Sequence, residues 1–297
     1  MKVLSLFDGI SCGMVALERA GIEVDTYYAS EIDNHAEGVS QYNYPEIVRL
    51  GDVNNYEHWN LPSIDLLIGG SPCQDLSIAK ANREGLNGER SGLFWKYVEC
   101  LKKFKPKYFL LENNNSMPKE AKDTISEILG VKPIMINSSL VSAQLRKRLY
   151  WTNIPGVEQP KDKGILLADI IESGTVDREK ALCLTRRYAG FSGGQDYYRH
   201  RYFGKSFGQA VFEGNATPEE HKRAYKKLGR YSGIEIDGTM RQMTHNECEK
   251  LQTLPIDYTK YEIINNELKE TPKGARYEMI GNGWTVDVIA HIFKHLN

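Results

Sequence analysis

Ile64-Asp65-Leu66-Leu67-Ile68-Gly69-Gly70-Ser71-Pro72-Cys73-Gln74 is the stretch whose reading decides the fold. A short apolar run closed by glycines reads as a strand buried on both faces, as strands of a parallel sheet are. It leads into a turn where Pro72 fixes the backbone just ahead of Cys73. A thiolate at such a sheet edge, near helix N-termini, is favoured by their positive partial charge and is well placed to attack. Alone, the pattern says little, because most single cysteines of this kind are small buried hydrophobes.

The surrounding segments are more specific. Leu110-Leu111-Glu112-Asn113 closes a second apolar strand with a carboxylate, and Gln144-Leu145-Arg146-Lys147-Arg148 opens a third, Leu149-Tyr150-Trp151. Spacing two in an extended segment puts Arg146 and Arg148 on one face, within reach of one pocket. Attack of a thiolate on an electron-poor ring needs an acid for the displaced charge and cations to hold the ring; Glu112 and the two arginines supply both. Each alone would pass for a solvated strand end or a surface charge run.

Towards the N-terminus, the strand Lys2-Val3-Leu4-Ser5-Leu6 runs into the loop Phe7-Asp8-Gly9-Ile10-Ser11-Cys12-Gly13 and a helical pattern over Met14–Ala20. Gly9 and Gly13 allow a ligand close to the backbone at this first strand-helix turn. Glu31 ends the second strand, placed for ribose hydroxyls, and Asp52 follows the third, suited to an exocyclic amine. The loop lacks a full G-x-G-x-x-G, so an adenosine without pyrophosphate fits better than a dinucleotide. S-adenosylmethionine meets that description.

These motifs, in this order and nearly end to end, resemble the cytosine C5 DNA methyltransferases. The likeness rests on Phe7–Gly13, Ala29-Ser30-Glu31-Ile32-Asp33, Gly51-Asp52-Val53, Ser71-Pro72-Cys73-Gln74 with Asp75-Leu76-Ser77, Glu112-Asn113, Gln144 with Arg146 and Arg148, and Gly281-Asn282-Gly283-Trp284-Thr285-Val286. Val141-Ser142-Ala143, Ile154-Pro155-Gly156 and the run from Trp284 to Val288-Ile289-Ala290-His291-Ile292-Phe293 are closer still to the animal de novo methyltransferase catalytic domain. The resemblance implies a Rossmann-like sheet binding S-adenosylmethionine through Phe7, Asp8, Gly9, Ile10, Ser11, Glu31, Ile32, Asp52, Val53, Gly70, Leu93, Asn282 and Trp284. It implies Cys73 adding to C6 of a flipped-out cytosine, Glu112 at N3 and the exocyclic amine, Arg148 on O2 and orienting Glu112, and Arg146 supporting the same anionic intermediate. An RNA cytosine C5 methyltransferase and a non-catalytic DNA-binding relative are the alternatives. The first lacks a recognisable signature in the target region, and the second would usually have lost one of the four catalytic residues. One departure stands out: Asn114 occupies the place of the family's valine, and its amide is expected to turn to local backbone or water.

Residues 178–241 hold thirteen Lys and Arg against seven Asp and Glu, in a chain of net charge −1. Interleaved with tyrosines and glycines, this by itself reads as a solvated, loop-rich surface with aromatic plugs; the resemblance implies that it is the target-recognition region facing double-stranded DNA. Arg186, Arg187, Arg199, Arg201, Lys226 and Lys227 are its candidate contacts, with Gln74 and Ser77 beside the nucleophile. The expected organisation is α/β: a catalytic and cofactor-binding domain over 1–153, a smaller target-recognition lobe and linker over 154–274, and a returning segment over 275–297. Helical patterns fall at 34–42, 91–104 and 118–129, a capped helix over 243–252, and a last helix over about 285–296 that packs on the first. The five cysteines show no C-x-x-C, which argues against a disulfide framework or structural zinc and for a reducing compartment. No run approaches membrane-spanning length, and Asp8 interrupts the N-terminal apolar stretch before it could serve as a signal. The expected location is cytoplasmic or nucleoid-associated, without secretion, without a metal, and in an oligomeric state the residues leave open.

Overall fold

A computed structural model describes residues 1–71, 92–186, 188, 194–205, 208–228 and 236–296. Its centre is a seven-stranded sheet of order β3-β2-β1-β4-β5-β7-β6, with β1 Lys2–Leu6, β2 Thr26–Ser30, β3 Val48–Arg49, β4 Leu66–Gly70, β5 Tyr108–Asn114, β6 Ile134–Asn137 and β7 Lys147–Thr152. The first five strands are parallel, while β7 runs antiparallel to both β5 and β6.

Both faces of the sheet are covered, and the strands alternate between two cores as their two-residue period demands. Val3, Leu66, Ile68, Leu110 and Tyr150 point into one cluster with helices α1 (Cys12–Ala20), α2 (Asn34–Asn43) and α9 (Val286–Phe293). Leu4, Leu6, Leu67, Phe109, Leu111 and Trp151 point into the other, with α3 (Gly92–Phe104) and α4 (Lys119–Leu129). Continuous apolar strands are the consequence of this double burial. The expected helices at 34–42, 91–104 and 118–129 are all present, and α9 packs on α1 as anticipated.

Strand order reverses between β1 and β4. At such a switch point the loops leaving the carboxyl ends diverge and open a crevice. The loop after β1 and the Gly70-Ser71 end of β4 therefore share one ligand-binding edge.

Beyond the sheet, β8 (Ala210–Gly214) and β9 (Gly238–Gln242) form a hairpin flanked by α5 (Gln195–Lys205) and α6 (Pro218–Leu228). The described part of this region therefore carries two helices and a hairpin between its loops. Three of its tyrosines are core residues: Tyr198 and Tyr202 are buried with Phe212 and Met240, and Tyr188 lies in a neighbouring cluster. Aromatic interleaving marked a small core of its own. Helix α7 (His245–Leu251) starts on a Thr244–Glu247 capping box and returns the chain to the sheet, with Met243, Leu251 and Leu254 buried as expected. A hairpin of β10 (Tyr261–Ile264) and β11 (Glu267–Glu270), which the sequence pattern did not suggest, packs against α2 before α8 (Lys273–Asn282).

Candidate active site

The loop from Phe7 to Ser11 adopts a backbone that only a strained sequence holds: Phe7, Gly9 and Ser11 have φ of 58°, 59° and 59°. Two of these are not glycine, and such strain clusters where a loop is shaped for a ligand. Glu31 is the brace. Its Oε2 accepts from Gly9 N at 2.7 Å, and its Oε1 from Ile32 N and Asp33 N at 2.8 and 2.9 Å. A carboxylate offers about four acceptor sites, so one remains for a ribose hydroxyl. Ile32 beside it is 71 % exposed, an apolar face left open at the crevice.

Asp8 accepts from Tyr27 Oη at 2.7 Å and from Ser11 Oγ, and burial, with Glu31 nearby, raises its carboxyl to about 6. Asp52 caps the short helical turn 53–58, accepting from Asn54 N at 2.9 Å. Val53 is buried in the core, so that residue can offer only its backbone; Leu93 packs at the edge of the same cluster. Ile10 is also buried, with its carbonyl taken by Tyr258.

Gly70 lies where the indole of Trp284 and the carboxylate of Glu112 converge. A Cβ there would stand 2.9 Å from Trp284 Nε1 and 3.1 Å from Glu112 Oε2. The indole is brought in by the turn between α8 and α9, which also presents exposed Asn282, and it lies beside Gly13 of α1. An adenosine with a cationic methionine tail fits this set: open apolar surface, an acid with a spare acceptor, an indole, and Asp8 at the loop.

At the same point, Glu112 Oε1 forms an ion pair with Arg148 Nε at 2.9 Å, both side chains mostly buried. The antiparallel turn of β7 produces this contact. Because β7 starts where β5 ends, Asn114 pairs with Arg148, and an arginine distant in sequence is delivered to the carboxylate. Ser71 is tied to the same edge by Asn113 Nδ2 at 3.1 Å. Cys73, Gln74, Ser77 and Arg187 lie outside the described residues.

Arg146 does something different. It is 4 % exposed and donates to the carbonyls of Leu184, Gly281 and Gly283 at 2.9, 3.3 and 2.9 Å. It is a strut between β7, the 181–186 segment and the end of α8, with Cys183 Sγ a further acceptor at 3.5 Å. Gln144 is likewise buried, bonded to Leu251, Gln252 and Leu184.

One residue at the site departs from its expectation and another escaped the sequence reading. Asn114 turns its Oδ1 to Arg148 Nη1 at 3.4 Å instead of to local backbone or water. Cys183 lies between the two arginines, with Arg148 Nη2 at 3.8 Å. Burial pushes its thiol up, but the charges of Arg146 and Arg148 outweigh burial and the net shift is downward. Buried Cys12 and Cys100 are pushed to about 12, and Cys248 well above an ordinary thiol. No local signal sets Cys183 apart; its address comes from a non-local pairing of Gln144 with Ala181.

Of the candidate DNA contacts, Arg186 is half-exposed and paired with Glu278 at 2.7 Å. Arg201 lies over the Tyr197 ring. Arg199 is 7 % exposed and donates to His221 Nδ1 and Asp196 Oδ1 inside the lobe, which makes it a poorer candidate for a phosphate contact than its neighbours. Lys226 and Lys227 fall on α6, with their side chains outside the description. Among the described residues no cluster of His, Cys, Asp and Glu could hold a metal, and no helix is long and apolar enough to cross a membrane.

A parallel-dominated sheet with a ligand crevice at its switch point and a carboxylate-arginine pair at the same edge defines a methyltransferase-like α/β protein. The profile of the C-5 cytosine-specific DNA methylases matches residues 1–156 and 169–297, and the chain belongs to that family. It is 34 % identical over 166 residues to the orphan methyltransferase M.SPRI of Bacillus phage SPR, an alignment covering 52 % of this chain and 38 % of the phage protein. Type II methyltransferase M2.BsuMI of Bacillus subtilis is 27 % identical over 318 residues, covering all of this chain and 75 % of that protein. The chain thus spans only about a third of the length of the first phage relatives it matches, 38 % and 32 %. In fold it is similar to Spodoptera frugiperda DNMT2 (TM-score 0.67, 19 % identity, 99 % of both chains). It is similar also to a putative DNA modification methyltransferase of an Escherichia coli prophage (TM-score 0.61, 18 % identity, 100 % and 98 %).

Proposed function

We propose that this chain transfers the methyl group of S-adenosylmethionine to C5 of cytosine in double-stranded DNA, leaving S-adenosylhomocysteine. The observation that carries the reading is the convergence of the Glu112–Arg148 pair and Trp284 beside Gly70. A base held by the pair would present C5 to a methyl group held next to the indole. Residues 1–153 would supply both pockets, 154–274 the target-recognition lobe, and 275–297 the returning segment with Trp284.

When bound, S-adenosylmethionine supplies an electrophilic methyl group on sulfonium. Cytosine C5 is too weak a nucleophile to take it unaided. The Cys73 thiolate adds to C6, and the electron pair displaced from the C5–C6 bond makes C5 enamine-like. Glu112 meets N3 and the exocyclic amine, sharing the proton that stabilises the adduct, while Arg148 keeps that carboxyl turned towards the base. C5 takes the methyl group, its proton leaves to a base, and the electron pair expels Cys73. None of these atoms is reachable inside a duplex, so the base must be flipped, at a cost of about a few kcal/mol that phosphate contacts offset.

Cys73→Ala should abolish transfer while leaving cofactor and DNA affinity largely intact. DNA carrying 5-fluorocytosine at the target should trap the wild-type chain covalently, because the C5 proton needed for release is missing. Full activity of Cys73→Ala would overturn the proposal. Mapping methylated cytosines in DNA from cells expressing the chain would identify the target sequence.

A further inference from the structure

Arg148 is held from every nitrogen of its guanidinium. Nε forms an ion pair with Glu112 Oε1 at 2.9 Å, Nη1 donates to Lys147 O at 3.0 Å and Asn114 Oδ1 at 3.4 Å, and Nη2 to Cys183 Sγ at 3.8 Å. A planar fork aims its Nε only when its other two nitrogens are fixed, because the side chain carries several freely turning bonds. Asn114 and Cys183 contact the group from two directions and belong to different parts of the chain, one on β5 and one on the segment that follows β7.

That segment is itself rigidly placed. Ala181 N donates to Ala143 O at 2.7 Å, Leu145 N to Ala181 O at 2.8 Å, and Leu184 N to Gln144 Oε1 at 2.8 Å. Gly281 presses on the Thr185 backbone so closely that a Cβ there would fall 2.5 Å from it. Arg146 bonds the same Cys183 Sγ and the carbonyls beyond it, so Cys183 links a buried strut to a guanidinium at the site. Two cations flank this sulfur and one carboxylate, Glu112, lies on the far side of Arg148. An acceptor between the two guanidiniums relieves their repulsion and bears on where Arg148 rests.

We infer that Asn114 and Cys183 are positioning residues that act on the reaction through Arg148, fixing its guanidinium so that Glu112 faces the cytosine. The inference rests on the methyltransferase reading for its kinetic consequence but not for the contact itself. The depressed thiol of Cys183 agrees with it.

The test is a double-mutant cycle read by the single-turnover rate of methyl transfer, with cofactor and DNA affinities measured alongside. Cys183→Ala and Asn114→Val should each slow transfer about three- to tenfold with affinities unchanged, as for loss of one ordinary, weakly aligned hydrogen bond. In an Arg148→Lys background, which keeps the charge and loses the fork, each should have an effect of less than about twofold. Cys183→Ser, which keeps an acceptor, should recover most of the rate. Equal losses in both backgrounds would show a merely structural role and overturn the inference, as would full activity of both single variants. A second measurement needs no turnover: the pH midpoint for alkylation of Cys183, followed by peptide mass spectrometry, should rise on Arg148→Met. A wild-type chain that transfers no methyl group defeats the parent reading, whereas an unmoved midpoint defeats this one.

Discussion

Gly70→Ala tests whether the two half-sites meet where the sheet edge brings them together. The added methyl would stand 2.9 Å from Trp284 Nε1 and 3.1 Å from Glu112 Oε2, several tenths of an ångström inside ordinary contact with both. Gly70 has no positive φ, so the backbone accepts alanine and the whole effect is one of crowding. Overpacking of this kind costs about 1 to 3 kcal/mol, or about five- to 150-fold in a rate or binding constant. The indole is wedged against α1 and yields little; the carboxylate end of Glu112 can turn, at the expense of its bond to Arg148. Transfer should therefore fall more than cofactor affinity does. Calorimetric titration with S-adenosylmethionine and single-turnover methylation separate the two. Gly69→Ala serves as the contrast, since its methyl would meet Leu6 O and the Tyr97 ring at 3.1 Å in the core. It should lower Tm, while Gly70→Ala lowers activity with Tm nearly kept. If Gly70→Ala leaves both affinity and transfer within about twofold of wild type, the shared wall does not exist.

Asp8 gives a pH prediction: its carboxyl, raised to about 6, is ionised above that pH and neutral below. S-adenosylmethionine, a cation, should bind more weakly as pH falls from 7 to 5, and Asp8→Asn should flatten the dependence. Because folding lifts this group from 3.8 to about 6, the folded chain holds the extra proton in that window, and its contribution to stability declines as pH rises through it. Denaturant midpoints of wild type and Asp8→Asn across pH 4 to 7 should therefore converge at the acid end. Arg146→Met leaves the carbonyls of Leu184, Gly281 and Gly283 without their donor and should cost about 2 to 4 kcal/mol, read as a lowered denaturant midpoint. Neutralising Lys226 with Lys227, or Arg186 with Arg187, should weaken DNA binding and flatten its salt dependence without touching cofactor affinity; an unchanged salt slope in both would place the DNA elsewhere.

The catalytic edge was legible because its residues obey short-range rules. Apolar runs closed by Gly70 and Glu112, and one opened by Arg148, announced strand ends, and the two-residue spacing of Arg146 and Arg148 announced one face. What spacing could not show is that one face holds two jobs. Arg146 meets backbone carbonyls that arrive from positions 184, 281 and 283, and only that convergence makes it a strut. Cys183 reads like any other cysteine until the bridge between Gln144 and Ala181 lays its segment beside β7. The antiparallel sense of β7, which delivers Arg148 to Glu112, is set by β6 intervening between α4 and β7, and the four residues of β6 gave too short an apolar signal to be noticed.

In the basic region some of the local signals belong to a core and not to a surface. Alternating arginines and tyrosines suit a nucleic-acid face and equally suit a small two-helix and hairpin unit that must bury something. Tyr198, Tyr202 and Phe212 are what it buries, because few aliphatic residues are available there, and Arg199 goes inside with them through Asp196 and His221. His221 accepts from Arg199 Nε, and burial together with that guanidinium brings its ring down to about 4, so the pair stays singly charged over the physiological range. Arg199→Leu should therefore lower Tm and leave the salt dependence of DNA binding as it was, whereas a true phosphate contact would reduce the slope by about one charge. A reduced slope with an unchanged Tm would return Arg199 to the DNA face.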